Sequence, residues 1–397
     1  MILGSCFSGR APVSVAIVFL LAGVLVADAA LAEPALIAEL QVGRDYDSPV
    51  NSIVFDASGD AWMATSKSLY HVLGGRPQLV ATAARKYDQL ALAPGGGLYA
   101  RLLTGRVRAG LFTVELVRIP KRTIARLRLP DSPFGFGAIY LGGAGQLIVT
   151  VTPLDSSEGL GGAFLYAFWS VKGKMLAKIR LEGLRTGVVD VTGDALLLLG
   201  ESNAIAFSNS GKQLWKLDGR FRNGVLAASG AVALLNPAAK DAIREVHVRR
   251  NDTVIRLTMR SPVYDMALAA DGSDGAVAID KGELFFLAPQ SCERQQCALR
   301  PVPSLSTAGR YLISAIRFVG PKTVAVGVIN RVGEIPPFTY PSAAAFAVDT
   351  SGKVLFRTNI TLEQPATWAP SIDVTYGARF FAAHTLQKTL LIRLDRE

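Results

Sequence analysis

Carboxylates and small polar residues recur where apolar runs of the sequence begin, and such a set could gather oxygen ligands from distant parts of the chain. The aligned starts of these runs carry Ser52, Asp88, Asp190, Asp265, Ser314 and Asp373. A ring of hard oxygen atoms suits Ca²⁺ or a cationic ligand, so we take Asp190, Asp265 and Asp373 as candidate metal ligands. Alternatively, each Asp accepts hydrogen bonds from backbone N–H groups of its own unit, as short polar side chains do at turns.

The sequence otherwise lacks catalytic signatures. His71, His247 and His384 fall in different strand-like runs, where a histidine is more often packed or solvated than catalytic. No GxSxG, HExxH, Walker or dinucleotide-binding motif occurs. We therefore expect no catalytic residues, and no cofactor unless the aspartates hold Ca²⁺.

Aromatic and Arg residues mark several segments between the apolar runs. Such side chains carry binding energy out of proportion to their area, and loops on a rigid scaffold are where binding usually sits. The candidate partner-binding residues are Arg106, Phe134, Phe136, Arg220, Phe221, Arg222, Phe338, Tyr340 and Trp368. For Phe134, Phe221 and Phe338 the alternative is that the rings fold inward and cover the ends of the sheets.

One repeated pattern predicts the elements that position these residues: an apolar run, a tight Gly turn and a second apolar run. It occurs first at Ser52 to Thr65 and last at Ile372 to Ala383. The turn glycines are Gly59, Gly96, Gly143, Gly193, Gly230, Gly272, Gly320 and Gly377. Their mean spacing of about 45 residues is that of propeller blades, and glycine suits hairpin turns that need a positive φ.

A second repeat supplies the outer strand of each unit. Gly173 to Ile179, Gly211 to Leu217 and Gly352 to Thr358 each start with a turn and then alternate charged and apolar residues, which is typical of a half-exposed edge strand. Together with a third apolar run, each unit has four strands. The sequence thus predicts an all-β fold, a β-propeller of eight four-stranded blades, or seven if the short unit Val225 to Leu235 is irregular.

The two ends of the chain are expected to complete the propeller. The last unit ends at Thr389 to Arg393 without an outer strand, and Ala35 to Leu40 has no blade of its own. Pairing these two segments would close the ring and remove two exposed edges.

Leu214-Trp215 after Gly211-Lys212 resembles the repeat of the pyrroloquinoline-quinone-like propeller superfamily, in which a Trp of the outer strand docks against the next blade. Ser52 to Thr65 also resembles the first hairpin of NHL-type and gluconolactonase-like propellers. The resemblance covers the architecture of the chain after residue 32. Its lactonase-like branch implies a Glu, an Asn and an Asp on one metal; Asn51 and Asp265 are available, but no Glu is well placed. Quinone-dependent members carry a vicinal cysteine pair that this sequence lacks, so bound quinone is not expected.

The first 32 residues read as a secretory signal peptide: Arg10, an apolar run from Ala11 to Ala27, and a small-x-small site at Ala30 to Ala32. An uncleaved anchor is the alternative. We expect a secreted or periplasmic, soluble, monomeric chain with no membrane span after cleavage and a single domain over residues 33–397. In an oxidising compartment Cys292 and Cys297 should form a local disulfide.

Composition narrows the choice of partner. The net charge is +10, from 42 Lys and Arg against 32 Asp and Glu. The sequence has no cluster of basic residues interleaved with aromatics, which a nucleic-acid-binding surface would need, so nucleic acid is not expected as a partner. We therefore expect a non-catalytic exported scaffold that recognises a protein, peptide or glycan through loops at the mouth of the central channel. The alternative is a Ca²⁺-dependent lactonase-like hydrolase with a metal in that channel.

Overall fold

The structure is a computed structural model, and it describes most of the chain after residue 34. The described residues are 35–56, 58–65, 67–82, 87–92, 98–103, 113–118, 122–128, 134–141, 147–153, 164–170, 174–181, 184–192, 195–200, 202–239, 243–280, 282–292, 297–302, 311–332, 339–360, 371–374 and 380–394. Among them, no helix is both long and apolar enough to cross a bilayer.

Strands account for nearly all regular structure in this part of the chain. The first four sheets contain β2 (Val50–Phe55), β3 (Ala61–Thr65), β4 (Ser68–Leu73) and β5 (Arg76–Thr82); β6 (Tyr87–Leu92), β7 (Leu98–Leu103), β8 (Thr113–Arg118) and β9 (Arg122–Arg128); β10 (Phe134–Leu141), β11 (Leu147–Pro153), β12 (Phe164–Trp169) and β13 (Met175–Leu181); and β14 (Leu184–Thr192), β15 (Ala195–Gly200), β16 (Asn203–Ser208) and β17 (Gln213–Asp218).

The other four sheets contain β18 (Phe221–Leu226), β19 (Val232–Pro237), β20 (Glu245–Arg250) and β21 (Thr253–Thr258); β22 (Val263–Leu268), β23 (Gly275–Ile279), β24 (Glu283–Leu287) and β25 (Arg300–Pro301); β26 (Tyr311–Phe318), β27 (Thr323–Val332), β28 (Thr339–Asp349) and β29 (Val354–Ile360); and β30 (Ser371–Val374), β31 (Phe380–His384), β32 (Lys388–Arg393) and β1 (Ala35–Gln41). A 3₁₀ turn, Pro289–Ser291, precedes the disulfide.

The described residues thus form eight four-stranded antiparallel sheets, and in seven of them the four strands follow one another in chain order. Each predicted Gly-turn hairpin is found as the first two strands of a sheet. Each charged alternating run is found as a fourth strand, for example β17 and β29. The all-β class and the four-stranded units are therefore confirmed.

The eighth sheet is completed from the other end of the chain. Strand β1 pairs antiparallel with β32, from Ala35 opposite Arg393 to Gln41 opposite Lys388. Two side-chain contacts reinforce this pairing: Tyr46 Oη lies 3.0 Å from Thr389 Oγ1, and Lys388 Nζ donates to Glu39 Oε1 at 2.6 Å. Residues 35–41 thus pair with the last sheet, as the sequence predicts for Ala35 to Leu40.

Three of the predicted turn glycines adopt the left-handed conformation that the turns require. Gly59, Gly230 and Gly272 have φ of 89°, 77° and 75°. Gly320 does not have a positive φ. It precedes Pro321, and the residue before a proline is restricted to extended conformations, so this turn is built differently. Gly96, Gly143, Gly193 and Gly377 lie outside the described residues.

The hydrophobic core lies between consecutive sheets. Leu197 packs with Leu235 of the next sheet, and Phe381 packs with Ala345 of the preceding one. The first strands follow the same order: β2 contacts β6, β6 contacts β10, β14 contacts β18, β18 contacts β22, β22 contacts β26, β26 contacts β30, and β30 contacts β2. Strands rich in Ala and Val let neighbouring sheets approach closely, as at the fully buried Ala345 and Ala347.

Two further features match the sequence-based expectations. Trp215 of β17 donates from Nε1 to the carbonyl of Gly230 in the next sheet at 2.6 Å, and Arg249 lies 4.4 Å above its ring. Cys292 and Cys297 form a disulfide.

Candidate functional site

The first strands share an irregularity at their starts. In seven of the eight sheets, as far as they are described, the pairing of the first two strands skips residues near the start of the first strand. The residues left outside the ladder at these bulges include Asn51, Asp88, Gly135, Val189, Arg222, Tyr264 and Ser314. A bulge bends the strand and redirects a side chain. The polar residues that the sequence aligns at these starts therefore lie on the bulges or next to them, except Asp373, whose strand pairs without a bulge.

Asp265 is bonded to two neighbouring sheets. Its Oδ1 accepts from the N–H of Met266 at 2.9 Å, and its Oδ2 accepts from the N–H of Ile316 and from Arg317 Nη1, both at 3.0 Å. The Nδ2 of Asn223, in the preceding sheet, lies 3.4 Å from Oδ1. Four donors thus already surround the Asp265 carboxylate, and the positive charge of Arg317 balances its negative charge. This is the hydrogen-bonding role given above as the alternative to metal ligation, extended to the next sheet.

Arg222 makes a second connection between sheets. Its Nε donates to Asn236 Oδ1 and its Nη2 donates to the carbonyl oxygen of Val263 in the next sheet. Asn236 is buried and donates to the carbonyl of Glu245 at 2.7 Å. Burial lowers the pKa of the Arg222 guanidinium from its ordinary value, but an arginine keeps its charge in proteins. Arg222 thus adds a fixed positive charge at the bulge.

Exposed side chains surround these bonded groups. The side chain of Arg317 is 48% exposed and Tyr264 is 48% exposed. Arg220, just before β18, is also exposed, and its backbone carbonyl accepts from the N–H of Ala238. We call Arg220, Arg222, Tyr264 and Arg317 the mouth surface.

Phe221 does not belong to this surface. It is 6% exposed, and its ring packs edge-on against His247 with centroids 5.8 Å apart. The imidazole is in turn held by Glu245, with Nε2 and Oε2 3.0 Å apart. Phe221 covers the end of its sheet, as the alternative for this residue foresaw, because its neighbour Arg222 occupies the outward-directed bulge.

The other predicted site residues are placed only in part. Arg106, Phe338 and Trp368 lie outside the described residues. Five others lie in described strands, but their side chains lie outside the described part: Phe134 and Phe136 in β10, Asp190 in β14, Tyr340 in β28 and Asp373 in β30. Their binding or ligand roles stay predictions.

Sequence reasoning did not single out Asn223, Tyr264 or Arg317. A usable signal was present for two of them, because Arg222-Asn223 and Tyr264-Asp265 stand at the same place in successive repeats. Arg317 comes close to Asp265 only through the packing of two sheets, which no local pattern shows.

Comparison with known proteins gives the fold and no more. No protein-family model and no curated protein matches the sequence. Among solved structures, the C-terminal WD40 domain of Sif2 aligns with a TM-score of 0.56 and 9% identity, covering 91% of this chain and 98% of that one. BamB from Moraxella catarrhalis aligns with a TM-score of 0.52 and 11% identity, covering 92% and 99%. WD40 repeats form β-propellers, so the chain has a propeller fold.

Proposed function

We propose that this protein is an exported eight-bladed β-propeller that acts as a non-catalytic binding scaffold and recognises a protein or peptide through its mouth surface. In this proposal each four-stranded sheet is one blade, and the ring is closed where β1 joins the last sheet.

Contacts between the first and last sheets support a closed ring. Strand β2 contacts both β30 and β31, and the rings of Phe55 and Phe380 stack with centroids 5.7 Å apart. A Cβ atom at Gly59 would collide with the Phe380 ring, so the first hairpin turn lies directly against the last sheet. Closure of a propeller removes sheet edges that would otherwise pair with other chains.

The observation that carries the binding proposal is the composition of the mouth surface. Three arginines and one exposed tyrosine come from the starts of β18 and β22 and from β26, and bonds between sheets fix Arg222 and Arg317 in place. Arginine and tyrosine are enriched where binding energy concentrates, and a preorganised surface loses little entropy on binding. Arginine also pairs with carboxylates in bidentate geometry, so the partner segment is expected to be acidic.

A capture experiment with matched variants tests this proposal. The exported protein is immobilised and exposed to the extracellular or periplasmic fraction of its own source, and bound components are identified. Arg220→Glu combined with Tyr264→Ala should abolish capture of the specific partner. Arg256→Glu, an equal charge reversal on the exposed outer strand β21 of the same sheet, should retain it.

The outcome is decisive either way if folding is checked by circular dichroism. Equal capture by all three proteins would overturn the choice of surface. If the specific partner is a glycan, as glycosidase sensitivity would show, the proposed partner class is wrong.

A further inference from the structure

A second polar cluster lies in the first sheet, outside the mouth surface. Asp56 follows β2, Asp60 precedes β3, and His71 lies on β4. Trp62 lies two residues after Asp60 and directly opposite His71. The alternation of side chains therefore places Asp56, Asp60 and His71 on one face of the sheet. One ligand atom from each of the three residues lies within 4.8 Å of the other two.

The turn accounts for Asp56 more fully than for Asp60, whose Oδ2 accepts only a long bond, 3.4 Å, from the Ser58 hydroxyl among the described residues. Asp56 Oδ1 accepts from the N–H and hydroxyl of Ser58 and from the N–H of Asp60, the last at 3.1 Å. Asp349 makes the same three bonds in the β28–β29 turn, to Ser351 and to the N–H of Lys353. There the position of Asp60 is occupied by a lysine, so the turn does not need a second carboxylate.

Charge compensation also differs between equivalent positions. Asp274 closes the β22–β23 turn as Asp60 closes the β2–β3 turn, and it is paired with Lys322 Nζ at 2.6 Å and Arg300 Nη2 at 3.4 Å. Among the described residues, no Lys or Arg pairs with Asp56 or Asp60. Within the described part of the chain, two neighbouring carboxylates therefore have no Lys or Arg to balance their charge.

His71 adds an observation that the fold does not explain. Its ring stacks on Trp62 with centroids 4.2 Å apart, and Trp62 stacks on Tyr99 of the second sheet at 5.2 Å. Its Nε2 atom is enclosed and has no hydrogen-bond partner in the described part of the chain. An enclosed polar atom without a partner is destabilising, and His71 has a ring nitrogen that the described residues leave unused beside two carboxylates.

We propose that Asp56, Asp60 and His71 bind a divalent transition-metal ion of the Zn²⁺ type. One imidazole with two carboxylates suits Zn²⁺ better than Ca²⁺ or Mg²⁺, which prefer oxygen ligands alone. Three protein ligands leave a fourth position of a tetrahedral ion for water. The site lies where the first hairpin is fixed on both sides, by Phe380 at Gly59 and by Tyr99 at Trp62.

Zinc titration of the chelator-treated protein, without residues 1–32, tests the proposal. Isothermal titration calorimetry should give a stoichiometry of one Zn²⁺ per chain, and the affinity for Ca²⁺ and Mg²⁺ should be at least tenfold weaker. Asp60→Asn should weaken zinc binding by about 10–100-fold or more, since even loss of a group that only supports a ligand costs that much. Asp60→Lys, which copies the residue at 353, should abolish binding while the protein still folds. Co²⁺ absorption bands should report a four-coordinate site and disappear in His71→Gln.

A matched variant guards against nonspecific binding. Asp349→Asn removes a carboxylate with the same turn bonds as Asp56 but without a neighbouring Asp and His, so it should leave zinc affinity unchanged. The proposal is overturned if folded Asp60→Lys or His71→Gln binds Zn²⁺ as the parent does, or if the parent protein binds none.

Discussion

Several polar side chains in this protein connect one sheet to the next. Asp265 accepts from the N–H of Ile316, Arg222 donates to the carbonyl of Val263, and Trp215 donates to the carbonyl of Gly230. The sequence identifies these residues as unusual, because each is a polar or amphipathic group beside an apolar run. It does not identify their partners, which lie in the next repeat, 15 to 51 residues further along the chain. From the sequence alone, Asp265 could therefore either accept hydrogen bonds or bind a metal.

Replacing Asp265 by Asn should reduce stability without affecting any cation response. The amide cannot replace a charged acceptor for Arg317, and the N–H of Ile316 loses its charged acceptor. We expect a loss of about 1–3 kcal/mol in the free energy of unfolding by urea. Asp252→Asn, at a fully exposed side chain, is the control and should change little.

Ca²⁺ addition should leave the Tm of the chelator-treated protein unchanged, because donors already surround Asp265. Differential scanning calorimetry with and without Ca²⁺ checks this. A Tm increase in the parent that Asp265→Asn removes would instead support the calcium-dependent hydrolase.

At the scale of elements, the regular strands were predictable and the irregularities were not. Alternation with a period of two located β13, β17 and β29, and the Gly turns located all eight hairpins. The bulges at the strand starts leave no local pattern, because one extra residue changes only the pairing. Strand β25 is two residues long and ends at Pro301, so its composition does not distinguish it from a loop.

The Asp349 turn should contribute stability that is lost in acid. Burial raises the pKa of the Asp349 carboxyl. Hydrogen bonds from the Ser351 hydroxyl and from the N–H groups of Lys353, Ser351 and Gly352 together lower this pKa by more than burial raises it, so the net shift is downward. A lowered folded-state pKa means that the stabilisation is complete above the unfolded value near ~3.9 and is lost as pH falls through the folded pKa. Unfolding free energies measured between pH 6 and about pH 3 should fall less steeply in Asp349→Asn.

Removing the disulfide should have a moderate effect. The bridge closes a loop with a sequence separation of 5, for which the loop-entropy model gives about 2 kcal/mol. Cys292→Ser combined with Cys297→Ser should lower the free energy of unfolding by about that amount in urea denaturation. If the double variant is as stable as the reduced parent, and the oxidised parent is more stable than both, the stabilisation is due to the disulfide bond.

At the scale of the whole molecule, the sequence predicts the architecture well because repetition multiplies a weak signal. Each unit is ambiguous alone, yet eight glycine turns at similar spacing leave few alternatives. The candidate site was harder to predict than the architecture, because Phe221 and Arg222 are adjacent in sequence but only Arg222 is exposed. Which of two neighbours is directed outward depends on the bulge, and the bulge depends on packing between sheets.

Integration of β1 into the last sheet predicts a strong difference between two leucines of that strand. Leu40 is 3% exposed and Leu36 is 41% exposed. Leu40→Ala should cost about 2–5 kcal/mol in the free energy of unfolding, whereas Leu36→Ala should stay within about 0.5 kcal/mol. Similar small effects at both positions would argue against a closed ring.

The pairing of β1 with β32 also determines when folding can finish. Tyr46 and Thr389, which bond each other, are separated by 343 residues, so the last sheet cannot assemble until nearly all of the described chain has been synthesised. Contacts of such long sequence separation slow folding because the entropy of ordering the chain is lost before they form. A nascent chain therefore carries β1 without its pairing strand until residues 388–393 have been synthesised.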